Sequence, residues 1–600
     1  MSEHEPAELN MPDPAKVGET VTRIAEQSRR LVEDFVERQK QDGADQYHVM
    51  DPADMARSFQ ALMEKMMEDP ARVMETQLEL WKEYTNLWQA NLQRMLGEES
   101  EPVIEPAKGD RRFKDAEWNE NPVFDYIKQS YLLASKYLYE CVRDTEGLDQ
   151  HTADKVDFYT RQYIDAVAPT NFAMSNPEVL RRTVETGGEN LLEGLSNLLE
   201  DLERGKGKLR VKMTDLDRFE LGENVAVTPG KVVYQNELMQ LLQYAPSTET
   251  VYKRPLLIIP PWINKYYILD LRPKNSFIKW AVDQGHTVFV ISWVNPDESL
   301  AHKDFEDYMF EGPMAALDAI EQATGERECK VIGYCLGGSL LAAMLAYMAE
   351  KGDNRVKAAT FFVSMTDFSE PGELGVFIDE EQLARMDEQM EKTGYFEGSA
   401  MAEAFNLLRA NDLIWGFVVN NYLMGKDPFP FDLLYRNSDS TRMPSRMHSS
   451  YLHNFYEKNL LCKPNGISFD GIGIDLNNVE TPAYFISTKE DHIAPWKSTY
   501  AGTQLLSGPV RFVLGMSGHI AGIVNPPSAK KYGYWTNDEL PADYDEWFAG
   551  AEPHEGSWWL DWKKWVQRYN GKKVPARVPG EGKLDVIEDA PGSFVKVRAD

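Results

Sequence analysis

Cys335 lies inside Gly333-Tyr334-Cys335-Leu336-Gly337-Gly338, a glycine-flanked hexapeptide that leaves few architectures open to this chain. The residues before it, Cys329-Lys330-Val331-Ile332, are short, apolar and β-branched, as a buried strand requires. Those after it, Ser339-Leu340-Leu341-Ala342-Ala343-Met344-Leu345-Ala346, are mostly strong helix formers. A strand, a tight turn and a helix make the strained elbow that lifts a nucleophile above a parallel sheet. Glycine flanks such a turn because strand and helix approach too closely for a Cβ. The helix behind Cys335 aims N–H groups and the positive end of its dipole at the reacting atoms. Serine is usual at an elbow of this kind, so cysteine narrows the chemistry to attack by a thiolate.

Length and charge bound the rest. Six hundred residues exceed one ordinary core, which predicts a catalytic domain with further helical regions. A formal net charge of −32 and a pI near 4.8 exclude a general nucleic-acid binder. Any polyanionic ligand then needs a local basic patch. The four cysteines (Cys141, Cys329, Cys335, Cys462) are scattered without metal-ligand spacing, which points to a reducing cytoplasm and no metal site. Met1-Ser2-Glu3-His4-Glu5-Pro6 has neither a basic nor an apolar leader segment, and no apolar run is long enough to span a bilayer. A cytoplasmic, non-transmembrane protein is expected.

The alternation of elements predicts an α/β-hydrolase fold: a mostly parallel, doubly wound sheet with a helical cap insertion and an α-helical N-terminal region. Residues 1–112 read as a variable, helical, Met-rich region with a charged, proline-bearing linker at 98–112. Its Met and aromatic stripe at helical spacing, in 55–67 and 76–88, is read as core. Residues 113–220 read as a second helical domain, and 221–600 as the catalytic domain. Expected strands are 255–259, 287–293, 330–334, 358–363, 483–487 and 510–514, with helices at 276–283 and 313–323. The interruption at about 369–480 falls where a cap over the site is normal.

The nucleophile needs a base, and the base an orienting carboxylate. On hydrolase-type sheets these follow in the order nucleophile, acid, histidine, each on a loop after a strand. After strand 483–487 comes Glu490-Asp491-His492, and after 510–514 comes Gly518-His519-Ile520-Ala521-Gly522. Asp491 and His519 are therefore the expected acid and base, with Glu490 the rival carboxylate and His492 a bystander. The backbone N–H of Leu336 is one expected oxyanion donor, and the loop near Trp262 or Ile263 the other.

Seven segments together are far more specific than the elbow. They begin at Gly222-Glu-Asn-Val-Ala-Val-Thr-Pro-Gly, Pro260-Pro-Trp-Ile-Asn-Lys-Tyr-Tyr and Gly285-His-Thr-Val-Phe-Val. They continue through Gly333-Tyr-Cys-Leu-Gly-Gly, Leu407-Leu-Arg-Ala-Asn-Asp, Glu490-Asp-His-Ile-Ala-Pro-Trp and Gly518-His-Ile-Ala-Gly. From about Asn121 onward the chain resembles the single-chain class I polyhydroxyalkanoate synthases. One departure stands out: Leu433-Leu434-Tyr435-Arg436-Asn437 carries arginine where that family commonly has tryptophan.

The resemblance implies polymerisation of (R)-3-hydroxyacyl groups, 3-hydroxybutyryl first, from coenzyme A thioesters, with coenzyme A released as product and no cofactor. It implies Cys335 as nucleophile, Asp491 as acid and His519 as base, a homodimer, and attachment to polyester granules, where granule-associated proteins are possible partners. Arg409, Asn264 and Tyr267 are the candidate substrate and coenzyme A contacts, with Lys265, Arg442 and Arg446 as further cations. Two other readings compete: a thioesterase or intracellular depolymerase using the same residues, and a granule-surface binding protein working through its amphipathic N-terminus.

Overall fold

A computed structural model describes residues 22–23, 49–98, 100–205 and 209–599. The chain forms two compact units, Met1–Asp215 with Phe405–Phe429, and Leu216–Ala404 with Pro430–Asp600.

The larger unit is built on an eleven-stranded sheet. Its strands in chain order are β1 (Gly230–Gln235), β2 (Met239–Tyr244), β3 (Leu256–Ile259), β4 (Val288–Trp293), β5 (Cys329–Tyr334) and β6 (Val356–Phe362). They are followed by β7 (Ala483–Thr488), β8 (Val510–Gly515), β9 (Gly533–Thr536), β10 (Glu552–Glu555) and β11 (Glu588–Asp589). Across the sheet the order is β10-β9-β8-β7-β6-β5-β3-β4-β2-β1-β11. The six strands from β8 to β4 are parallel and the flanking ones antiparallel. Each of the six parallel strands matches one expected from the sequence to within two residues at either end. Strands β3, β4 and β5 are buried along their whole length, which is why they read as continuous apolar runs rather than alternating ones.

The order β5-β3-β4 reverses the chain direction across the sheet, so the carboxyl ends of the central strands open onto one crevice. The helix after β5, Leu336–Glu350, is buried from Leu336 to Met348, and its apolar residues cover its whole circumference. An aromatic cluster of Phe277, Phe362, Trp558, Trp559 and Trp562 fills one side of the sheet. Two of its indoles donate to the backbone after β8, Trp558 to the Gly522 carbonyl (3.0 Å) and Trp559 to that of Ile523 (2.9 Å). The loop bearing His519 is thereby pinned to the core.

The interruption between β6 and β7 holds helices Glu380–Thr393, Asp432–Asn437 and Ser445–Tyr451, the last continuing as a π-turn over Leu452–Glu457. Its middle, Phe405–Phe429, belongs to the smaller unit. There Tyr422 donates to Asp201 (2.6 Å), and Gly194 admits the Tyr422 carbonyl to a place where a Cβ would lie 1.9 Å from its oxygen. The smaller unit otherwise consists of helices such as Pro52–Glu68, Pro70–Met95, Pro122–Arg143 and Gln150–Ala166. Asp51, Asp69 and Asn121 cap three of these ahead of a first-turn proline, so both start signals are present in the sequence.

The Met and aromatic stripe divides. Leu62, with Phe59 and Met66 packed beside it, forms a small core with Val142 and Val156, whereas Met63, Met67, Leu78, Trp81 and Trp88 are exposed, Trp81 by 75%. Only Leu62 and Leu87 of these two helices are buried as large apolar side chains. Helical spacing showed that the residues share a face, but spacing alone does not say what that face meets. Among the described residues no helix is long and apolar enough to cross a membrane.

Candidate active site

The elbow forms at the carboxyl end of β5. Cys335 has φ 52° and ψ −119°, a strained conformation for a side-chain-bearing residue, and its N–H is held by the Phe362 carbonyl at 2.8 Å. Two glycines make the turn possible. A Cβ on Gly333 would lie 2.5 Å from the Gly338 Cα, and one on Gly337 would lie 2.1 Å from the Ile259 carbonyl oxygen. The second contact seats the start of the helix directly on the end of β3. Leu336 is the first residue of that helix, so its N–H has no acceptor one turn back. The same contact brings it close to the loop that carries Trp262 and Ile263. That loop is held by Thr441, whose hydroxyl donates to the Trp262 carbonyl (2.7 Å), and by a bridge between Asn264 and Ser440.

Asp491 and His519 meet as the strand ends predict. The His519 Nδ1–H donates to Asp491 Oδ2 at 2.8 Å, and both residues are buried. The other carboxylate oxygen accepts the N–H groups of Ile493 and Ala494, each at 2.9 Å, which fixes its orientation. Glu490 is exposed at the surface, and His492 takes no part in the pair. Tyr334 stacks on the His519 ring at 5.9 Å. Burial alone would lower the imidazole's proton affinity, but the charges of Asp491 and Cys335 outweigh it, and the pKa is pushed up to about 10. The three groups therefore form one electrostatic unit.

Cys335 itself is half-buried and opens on a small cavity lined by Val363, Met365, Phe368, Tyr451, Tyr456 and Ile493. The wall is apolar and aromatic, and Tyr451 and Tyr456 reach it from the segment between β6 and β7. These lining residues were not singled out from the sequence. The aromatic spacing in Tyr451-Leu452-His453-Asn454-Phe455-Tyr456 was the available signal, but a core reading explains it equally well.

The candidate substrate and coenzyme A residues have the following surroundings. Tyr267 is fully buried with its hydroxyl donated to Asp439 (2.8 Å). The side-chain oxygen of Asn264 accepts the Lys265 N–H (2.9 Å), and Lys265 is buried in an ion pair with Asp439 (2.6 Å). Arg409 lies in the smaller unit, exposed and paired with Asp412. Arg446 pairs with Asp304, and Arg442 lies against Glu397 and over the Tyr395 ring. Cys329 is buried in β5 and its thiol pKa is pushed up by burial to about 12, a structural residue as expected.

Residues 109–281 match the family described as the poly-beta-hydroxybutyrate polymerase (PhaC) N-terminus, and residues 255–526 match the alpha/beta hydrolase fold. The chain is 52% identical over 547 residues to a poly(3-hydroxyalkanoate) polymerase subunit PhaC of Rhizobium meliloti, covering 91% of this chain and 89% of that one. It is 50% identical to a poly(3-hydroxyalkanoate) polymerase of Methylorubrum extorquens, covering 91% and 90%. Against the polymerase subunit of Cupriavidus necator the identity is 40%, covering 88% and 89%. With its elbow, its acid–base pair and this likeness over nine-tenths of its length, the chain belongs to the poly(3-hydroxyalkanoate) polymerase family, built on an α/β-hydrolase scaffold.

Proposed function

We propose that this acyltransferase polymerises (R)-3-hydroxyacyl groups, 3-hydroxybutyryl first, from coenzyme A thioesters through an acyl group carried on Cys335. The observation that supports this most is a cysteine at the elbow, electrostatically coupled to a buried Asp491–His519 pair and facing an apolar cavity.

Thiolate attack on a thioester exchanges one thioester for another, so the acyl group stays activated. A serine would form an ester and lose the driving force before polymerisation. In the first step Cys335 Sγ bonds to the acyl carbon, the bond to coenzyme A breaks, and the departing thiolate takes the proton held on His519. The Leu336 N–H and the loop at Ile263 would receive the oxyanion.

Acylation also changes the base. Once Cys335 carries an acyl group its negative charge is gone, and His519 loses one of the two interactions that hold its proton. Its proton affinity then falls, so the neutral imidazole that can accept the proton of a 3-hydroxyl is more readily reached. That oxygen attacks the acyl–Cys335 carbonyl, forms the ester and frees the thiolate, which restores the original state. The apolar wall of Val363, Met365, Phe368 and Ile493 keeps water from competing for the acyl group. A homodimer in the cytoplasm, attached to polyester granules, is the assembly we propose with this activity.

The test is coenzyme A release from (R)-3-hydroxybutyryl-CoA with the organic product identified, and Cys335→Ala as control. Thiol release with insoluble polyester, abolished in the variant, is expected. Free 3-hydroxybutyrate as the only product would replace this reading with that of a hydrolase.

A further inference from the structure

Arg436, the position at which the sequence departs from the family pattern, is a buried cation with Cys335 among its electrostatic neighbours. It sits on the short helix Asp432–Asn437 and is 5% exposed. A guanidinium has five N–H donors. This one makes only two long hydrogen bonds, to the Lys265 carbonyl (3.5 Å) and to Asn437 Oδ1 (3.4 Å), and its buried Nε–H has no partner. Among the described residues no carboxylate lies within ion-pairing distance of it. The nearby Asp439 is already taken by Lys265 (2.6 Å) and the Tyr267 hydroxyl (2.8 Å).

Arg436 therefore has no close carboxylate of its own among the described residues, because Asp439 is occupied by Lys265 and Tyr267. Such an arrangement costs the fold, because a buried charge without a close partner loses its hydration and recovers little. A local violation of this kind that persists in a well-packed core points to a use at the site. The surroundings say which use. The guanidinium touches the loop after β3, the expected second half of the oxyanion site, through the Lys265 carbonyl. Its electrostatic neighbours are Tyr334, Tyr267, Asp439 and Cys335, and burial draws its own pKa below the ordinary value.

We propose that Arg436 is a positioning residue for attack at Cys335: its guanidinium holds the loop after β3 by the Lys265 carbonyl and places a buried positive charge beside the oxygen that becomes negative there. In the resting enzyme the guanidinium has no close carboxylate among the described residues, and the oxyanion of the transition state becomes its near counter-charge. Ground-state substrate, being neutral at the acyl carbon, gains little from it. This inference rests on the reading of Cys335 as acyl acceptor, but it concerns the acylation step and not the fate of the acyl group.

The experiment is rapid-quench measurement of the first-turnover release of coenzyme A by the full chain, with thermal unfolding recorded for each variant. Arg436→Met keeps the length and removes the charge; Arg436→Lys keeps the charge. For Arg436→Met the acylation rate is expected to fall about 10- to 100-fold with KM changed less than about twofold. Its Tm is expected to be equal to or above that of the wild type, since an unpaired buried charge has been removed. Arg436→Lys should recover a substantial part of the rate. A residue that only packs would show rate and Tm falling together, with Met tolerated at least as well as Lys, and that result would overturn the proposal. So would wild-type acylation in Arg436→Trp, which fills the space without a charge. If the wild type releases coenzyme A but makes no polymer, the synthase reading fails while this comparison of acylation rates still decides the role of Arg436.

Discussion

Replacing Asp491 by Asn removes one charge from the site while keeping its shape. The retained side-chain oxygen can still accept the Ile493 and Ala494 N–H groups, so the loop after β7 should keep its conformation. The new NH2 group faces His519 Nδ1 at the position where the carboxylate accepted a proton at 2.8 Å. Two donors cannot share that contact, so the imidazole is driven to the tautomer with its proton on Nε2, facing Cys335, and can no longer take a proton there. The magnitude follows from the protonation equilibrium. An imidazole held at about 10 rather than near 6.5 has its charged form favoured by about 5 kcal/mol at ~1.4 kcal/mol per pH unit. Asp491 is the larger of the two favourable contributors, and it also works against burial. Losing it should cost the thiolate–imidazolium state about 3–5 kcal/mol, or roughly 10²–10⁴ in the acylation rate. Single-turnover release of coenzyme A, quenched on the millisecond scale, reads that step directly. A variant that is folded by circular dichroism and acylates within about threefold of the wild type would refute the coupling argued here.

The same pair makes stability pH-dependent. His519 binds its proton more tightly in the folded state, so its contribution is complete below about pH 6.5 and is lost as pH rises through about 10. Urea unfolding between pH 7 and 10 should show stability falling, by at most ~1.4 kcal/mol per pH unit from this group, with a shallower slope in Asp491→Asn. Gly337→Ala should destabilise by about 2–4 kcal/mol, because its Cβ meets the Ile259 carbonyl carbon and oxygen, neither of which can swing away; a change under about 0.5 kcal/mol in urea unfolding would contradict the tight packing of helix on strand. Phe368→Ala enlarges the cavity at Cys335 and should raise the share of free hydroxyacid among the products, measured by chromatography. An unchanged product ratio would mean that this wall does not exclude water.

The parts of this site carried by chain-local signals were legible in the sequence. The elbow announces itself because strand, glycines and helix are contiguous, and Asp491 and His519 follow because each sits within a few residues of a strand end. The parallel strands were readable for a similar reason, since burial on both faces leaves continuous apolar runs such as Leu256-Leu257-Ile258-Ile259. What escaped depends on contacts between distant segments. Lys265, Asp439 and Arg436 meet across more than 170 positions, and nothing local to Tyr267 announces that Asp439 will occupy its hydroxyl. Arg409 stands in a motif that resembles the family's, and its pairing with Asp412 is a contact that the motif does not announce. The helical stripe in 55–67 and 76–88 carried the right period, but its core reading holds only for residues such as Phe59, Leu62 and Met66 and not for exposed ones such as Trp81 and Trp88.

The central claim is that the acyl group passes through Cys335. Intact-protein and peptide mass spectrometry after a single turnover with (R)-3-hydroxybutyryl-CoA, quenched in acid, measures this most directly. One hydroxybutyryl group is expected on the peptide containing Cys335, in thioester linkage cleaved by neutral hydroxylamine, with none in Cys335→Ala. Acylation at another residue, or coenzyme A release in the Cys335→Ala protein at the wild-type rate, would contradict it.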